Sequence, residues 1–140
     1  MKASEICIGD WFKAIDYNSP FRITAIYDDV VQTQADYQSE IDGNWYSEAE
    51  IKDLVPIPLT EDILEKNGFR YTANVIGRHN CKCYELEQKG VYHMTISIYK
   101  NKTTCELDKV DALYMNVVTN CVHELQHLLR LCGIEKIIEL

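Results

Sequence analysis

Five residues in the C-terminal part of the chain, His123-Glu124-Leu125-Gln126-His127, spell HExxH. In that pattern two histidines one helical turn apart bind zinc, and the glutamate between them acts as general base toward the bound water. His123 and His127 are therefore the candidate metal ligands, and Glu124 the candidate base. Such chemistry also needs a third protein ligand and a walled substrate cleft. The extended pattern HExxHxxGxxH fails here, because Arg130 stands at its glycine and Gly133 at its third histidine. Glu135 and Glu139 follow with too little chain for a further helix and a return. His79 and His93 lie upstream, with no spacing that recommends them.

Other chemistry is sparser still. The six cysteines are Cys7, Cys81, Cys83, Cys105, Cys121 and Cys132. The N-terminus meets charge and a turn before any apolar run forms, so it does not read as a secretory signal. Reduced thiols and a cytoplasmic setting are the expectation. Cys81 and Cys83 suit one face of a strand, and with His79 they form a His-x-Cys-x-Cys row. Structural zinc sites more often use paired C-x2–4-C spacing, so small core residues are the plainer reading. A Cys121–His123 nucleophile pair is disfavoured, since apolar surroundings raise a thiol pKa. There is no G-x-S-x-G elbow, no phosphate-binding glycine loop and no dinucleotide fingerprint.

The element that must carry HExxH is an amphipathic helix over 117–132. With Leu125 as reference, Val118, Cys121, Val122, Leu128, Leu129 and Cys132 share one stripe at about 100° per residue, and both histidines fall opposite it. A stripe of this kind covers a sheet, leaving the histidines toward solvent or toward the N-terminal part of the chain. Gly133 is the expected C-cap, with Leu129 and Ile134 in the closing contact.

The rest of the chain reads as short strands and one short helix. Strands are expected over 11–15, 21–27 and 30–34, with Asp28-Asp29 as a turn, followed by Trp45-Tyr46 and an extended 55–58. These suggest a small SH3-like antiparallel β-barrel over 1–58. Thr60 is an N-cap, Glu61 and Asp62 suit the first turn, Lys66 suits the last, and Asn67-Gly68 ends the helix. Strands follow over 69–76, 82–88, 91–100 and 103–107, the third alternating apolar and polar with His93 on its wet face. The expected class is α+β. The expected domains are a β-barrel-like unit at 1–58 and, at 59–140, an antiparallel sheet covered by the terminal helix, with the two able to pack as one core.

Charge is uneven along the chain. The net charge is −8, and residues 1–58 hold eleven acidic residues against Lys2, Lys13, Arg22 and Lys52. Such a half repels phosphate, which disfavours direct nucleic-acid binding and suits a basic protein partner. No run of about 18 apolar residues exists, so no membrane span is expected.

Three segments carry a family likeness: Met1 to Trp11, Pro56 to Phe69, and Val122 to His127. Together they resemble a group of small uncharacterised proteins of Bacteroides-type gut bacteria, their phages and mobile elements. The resemblance implies no activity. The residues therefore favour a non-enzymatic, acidic protein-interaction module with no cofactor and no catalytic set. The alternative is a zinc-dependent hydrolase or peptidase using His123, Glu124 and His127.

Overall fold

In β1 (Trp11–Ala14) alternate side chains are buried, and Phe12 and Ala14 vanish into a core while Trp11 and Lys13 stay partly exposed. That period of two places one face inward. The computed structural model describes residues 2–75, 80–109 and 113–140. After β1 come β2 (Tyr17–Tyr27), β3 (Val30–Gln38), β4 (Trp45–Glu50), a 3-10 turn (Ile51–Asp53) and β5 (Leu54–Pro56). All neighbours are antiparallel, in the order β4-β3-β2-β1-β5. Asp28 takes a φ of 40° in the turn pairing Tyr27 with Val30, as the Asp-Asp sequence suggested. Phe12, Phe21, Ile23, Val31, Tyr37, Ala49, Ile51 and Leu54 make the core of this sheet.

Two expectations are corrected here. Regular alternation over 21–27 would put Phe21, Ile23, Ala25 and Tyr27 on one side, and it breaks at a bulge between Ile23 and Ala25. One extra residue flips the alternation. Ile26 packs on the core and Tyr27 is exposed. Nor does the sheet close as the expected SH3-like barrel: β4 and β5 are its edges, with no pairing between them. Between them the chain makes the 3-10 turn, in which Leu54 N–H donates to the carbonyl of Ile51, and β5 pairs with β1 instead.

Tyr37 shows what this core does to a polar group. Its ring stacks on Phe21 at 5.5 Å, and its hydroxyl donates to the Glu48 carbonyl at 3.2 Å. Burial, with Asp16 adding to it, pushes its pKa from 10.0 to about 12. The unfolded phenol ionises first, so the contribution is intact below pH 10 and is lost as pH rises to about 12. Unfolding midpoints measured over that window should fall less steeply for Tyr37→Phe than for the parent chain.

The second sheet is a plain meander, β6 (Arg70–Val75), β7 (Cys81–Gln88), β8 (Tyr92–Tyr99), β9 (Thr103–Lys109) and β10 (Leu113–Val118), ordered β10-β9-β8-β7-β6. It is preceded by α1 (Glu61–Lys66), where Thr60 accepts from Ile63 N–H and Gly68 closes the end at φ 80°. Glu61 ties α1 to β7, accepting from Lys82 Nζ at 2.7 Å and from the Tyr84 hydroxyl at 2.7 Å. The Lys82 ammonium holds the Glu61 carboxyl below its ordinary value. His93 sits on the wet face, 3.6 Å from Glu85.

The last helix, α2, runs Val122–Leu131, shorter than the 117–132 read from the sequence. Val118 belongs to β10 and is exposed, so it is not part of a helical stripe. Gly133 ends α2 at φ 66°, and Ile134 N–H donates to the Leu129 carbonyl at 2.9 Å, as expected of this cap. The chain divides into two compact units, Met1–Pro58 with Cys121–Lys136, and Leu59–Asn120 with Ile137–Leu140. The helix expected to belong with the second sheet in a 59–140 unit thus groups with the first. The link is local: Val122 N–H donates to the Ile57 carbonyl at 2.9 Å, and Pro58 bridges Cys121, so α2 starts beside the end of β5. The structure is α+β.

Candidate functional site

In the first unit, the loop before β1 and the side of α2 that carries His123 and His127 bring the chemistry together. The loop is a tight turn: Asp10 N–H donates to the Cys7 carbonyl at 3.1 Å. Gly9 sits at φ 89°, and a Cβ there would meet Arg130 Nη2 at 3.2 Å and Arg22 Nη2 at 3.4 Å. The positive φ favours glycine here, and a Cβ would also press on the two guanidinium groups. The turn is fastened to β2, since Gly9 N–H donates to the Ile23 carbonyl at 2.7 Å and Ile23 N–H to the Asp10 carbonyl at 2.9 Å.

This turn drives the Asp10 side chain fully inside. Oδ2 accepts from Cys7 N–H at 2.7 Å and meets His127 Nε2 at 2.7 Å. Oδ1 accepts from Arg130 Nη1 at 2.9 Å. A carboxylate only accepts, so the His127 Nε2 carries the proton in this bond. Arg130 also donates to the Ile8 carbonyl, and Arg22 to the Gly9 carbonyl. A buried charge is tolerated when it is paired and hydrogen-bonded, and Asp10 meets that condition with three partners.

The HELQH residues take separate roles. His123 is 7 % exposed and packs on Phe12 at 4.8 Å between centroids, the rings tilted by 33°. Its Nδ1 finds no hydrogen-bond partner among the described residues. Burial pushes its pKa below the ordinary imidazole value, with Glu124 and Asp10 opposing. His127 is half-buried, its ring 5.8 Å from that of His123 and edge-on to it. Both histidines therefore turn toward the N-terminal residues rather than to open solvent. Glu124 folds back along the helix, its Oε2 accepting from Cys121 N–H at 3.0 Å, so this carboxylate caps α2.

No third His, Cys, Asp or Glu donor groups with both His123 and His127 among the described residues. The donors that do converge are Cys7, Asp10 and His127, all within 4.8 Å of one another. As arranged, then, His123, Glu124 and His127 do not fit a zinc centre of their own. A cleft of about 580 Å3 opens beside the helix, lined by Glu5, Leu54, Pro56, His123, Glu124 and His127. Cys7 and Asp10 carry no spacing signal toward His127. Only the short Cys-Ile-Gly-Asp turn, placed just before the first strand, marks them in the sequence.

Of the remaining sequence candidates, Cys81, Cys83 and His93 belong to the second unit. Cys81 and Cys83 share a face of β7 with Sγ atoms 3.8 Å apart, and Cys83 Sγ lies 3.7 Å from Ser97 Oγ. His79 lies outside the described residues. Burial raises the Cys121 pKa, in keeping with an unreactive thiol.

A second surface of the same unit stands out by exposure. Trp45 is 68 % exposed and Ile41 79 %, with Tyr46 beside them. Tyr46 packs on Tyr37 at 5.9 Å, and Tyr37 on Tyr17 at 5.0 Å. Glu40 N–H donates to the Asp16 carbonyl at 2.8 Å, which draws the loop after β1 to the loop after β3. The Tyr46 hydroxyl donates to Asp42 at 2.6 Å and holds that carboxyl down to about 2. Comparison of the chain with protein-family models, with curated proteins and with solved structures finds no match.

Proposed function

We propose that the protein is a binding module that receives an extended, basic segment of another protein on the β3–β4 side of its first unit. The observation that carries this reading is the exposed Trp45 at the start of β4, preceded by the exposed Ile41 and by the exposed acidic residues Glu40 and Asp42 in the loop that leads into that strand. Residues 23–51 contain seven acidic residues and neither Lys nor Arg. A Lys or Arg side chain over an exposed Trp face gains about 0.5–1 kcal/mol, and flanking carboxylates add charge-assisted hydrogen bonds. Strand β4 is also a sheet edge, whose free backbone groups can pair with an added strand. Phosphate-bearing ligands are repelled by the same charge.

The meander β1 to β4, with β5 returning beside β1 after a 3-10 turn, also supports reading this unit as a relative of SH3-like barrels. The family likeness seen in the sequence supports a phage or mobile-element setting for it.

A fluorescent Lys/Arg-rich peptide titrated into the full chain tests the proposal. Micromolar binding is expected, weakening as salt rises, and Trp45→Ala should weaken it by about tenfold, in line with an aromatic hot spot. Equal binding of an acidic peptide, or no effect of Trp45→Ala, would refute the assignment.

A further inference from the structure

We propose a divalent metal site of the zinc class at the turn-to-helix junction, with Cys7 Sγ, an Asp10 carboxylate oxygen and a His127 ring nitrogen as its ligands. The site is independent of the peptide surface. Its donors lie within 4.8 Å of one another, with Asp10 Oδ2 and His127 Nε2 at 2.7 Å, and ligands on one tetrahedral ion, bonded at about 2.0–2.3 Å, stand about 3.3–3.8 Å apart. Modest side-chain adjustment therefore closes the set.

The local build resembles half of a structural zinc centre. Cys7 and Asp10 are two donors separated by two residues on a turn closed by Asp10 N–H to the Cys7 carbonyl, with Gly9 at positive φ. The usual spacing for such a donor pair is C-x2–4-C, and here a carboxylate takes the second place. The third donor comes from α2, which the Asp10–Arg130 pair already holds against the turn at 2.9 Å. Arg130 engages Oδ1 and serves as an outer-shell partner, while Oδ2, which accepts from Cys7 N–H and His127 Nε2, faces the other two donor residues and would exchange its His127 bond for the metal. The positive charge of Arg130 opposes a bound cation, and the thiolate and carboxylate charges offset it.

Binding releases the Cys7 thiol proton, because the thiolate is the ligand, and shifts the His127 proton from Nε2 to Nδ1, because the ligating nitrogen must be free of it. Thiolate and carboxylate together supply two negative charges to a divalent ion. Cys7 is exposed, so entry is unobstructed and the fourth position goes to water. That is the pattern of an open site. The HELQH motif then contributes one ligand, His127, in company the motif does not name.

The test uses the full chain, reduced and stripped with chelator, then titrated with cobalt(II) as a zinc surrogate. One equivalent should bind, with the visible absorption of a tetrahedral ion and a thiolate-to-cobalt charge-transfer band, and zinc should displace it. Cys7→Ser, which keeps the turn and the Asp10 hydrogen bonds, should abolish the charge-transfer band. It should also weaken affinity by at least about tenfold, the lower end of what an outer-shell partner is worth. His127→Gln should do the same, while His93→Gln, His123→Gln and Cys81→Ser should leave the spectrum unchanged. Absence of binding overturns the site. So does a band that survives Cys7→Ser, which would move the thiolate elsewhere. Loss on His123→Gln with retention in Cys7→Ser would assign the metal to the helical pair instead. Tryptophan emission of each variant verifies that the first unit is folded, since both tryptophans, Trp11 and Trp45, belong to it.

Discussion

Asp10→Ala is expected to destabilise the first unit by about 3 kcal/mol, read as a lowered urea midpoint of tryptophan fluorescence. The carboxylate is fully buried and receives three donors, from Cys7, His127 and Arg130. Removing it strands a backbone N–H at the turn and two cationic or polar side chains on α2. Losing one partner of a buried pair costs about 3–5 kcal/mol, and the lower end applies because the Arg130 side chain is 36 % exposed. Asp10→Asn keeps an acceptor for Cys7 and should cost less than Asp10→Ala. Arg130→Met should be comparably harmful, since it leaves the buried charge without its strongest partner. The two losses should not add: a cycle of Asp10→Asn, Arg130→Met and the double variant should return a coupling of about 1–2 kcal/mol. Simple additivity would mean that the pair does not fasten α2 to the turn.

Phe12→Ala should cost about as much or more, about 3–5 kcal/mol, by a different route. Phe12 has no exposed surface, lies in the core of the first sheet and carries the ring of His123 at 4.8 Å. Truncation leaves a cavity on the helix-facing side of β1 and exposes the buried imidazole to water. The effect should be larger than for Ile15→Ala, just past the end of the same strand and 73 % exposed, which should stay within about 0.5 kcal/mol. His123→Leu offers a signed companion test: replacing a buried nitrogen that has no partner by an apolar group of similar reach should be neutral or stabilising. A large loss on His123→Leu would show that Nδ1 holds a hydrogen bond after all.

Such effects bear on function, because both proposed sites rest on the first unit. A chain that loses the Asp10 fastening should lose cobalt binding with it, since His127 is then no longer held at the turn. Peptide binding at Trp45 depends on the β3–β4 side of the sheet and should persist as long as that sheet remains folded. Comparing the two readouts in Asp10→Asn separates the sites.

Local features were legible in the residues themselves. The Thr60 cap, the Asn67-Gly68 stop, the Asp28-Asp29 turn, the alternation in β8 and the Gly133 cap all follow from conformational preference within a few residues, and each forms where it was read. The α+β class follows from the same signals. The bulge at Ile23–Ala25 was not legible, because nothing in Phe21 to Tyr27 marks which residue is the extra one. Strand β10 was missed because Val117 and Val118 extend the helical pattern backward, and pairing with β9 takes them instead.

The HELQH letters are the sharpest case. By itself the sequence determined that His123 and His127 share a helix face away from the Leu125 stripe, since that is a matter of 100° per residue. What meets that face is set by residues more than a hundred positions away. Only the tertiary structure decided that Glu124 caps the helix, that His123 lies on Phe12, and that His127 belongs with Asp10 and Cys7. The reason is physical: a helix repeats its own geometry locally, but a buried carboxylate must find its donors wherever the chain brings them. Here a four-residue turn and the end of the chain supply them together.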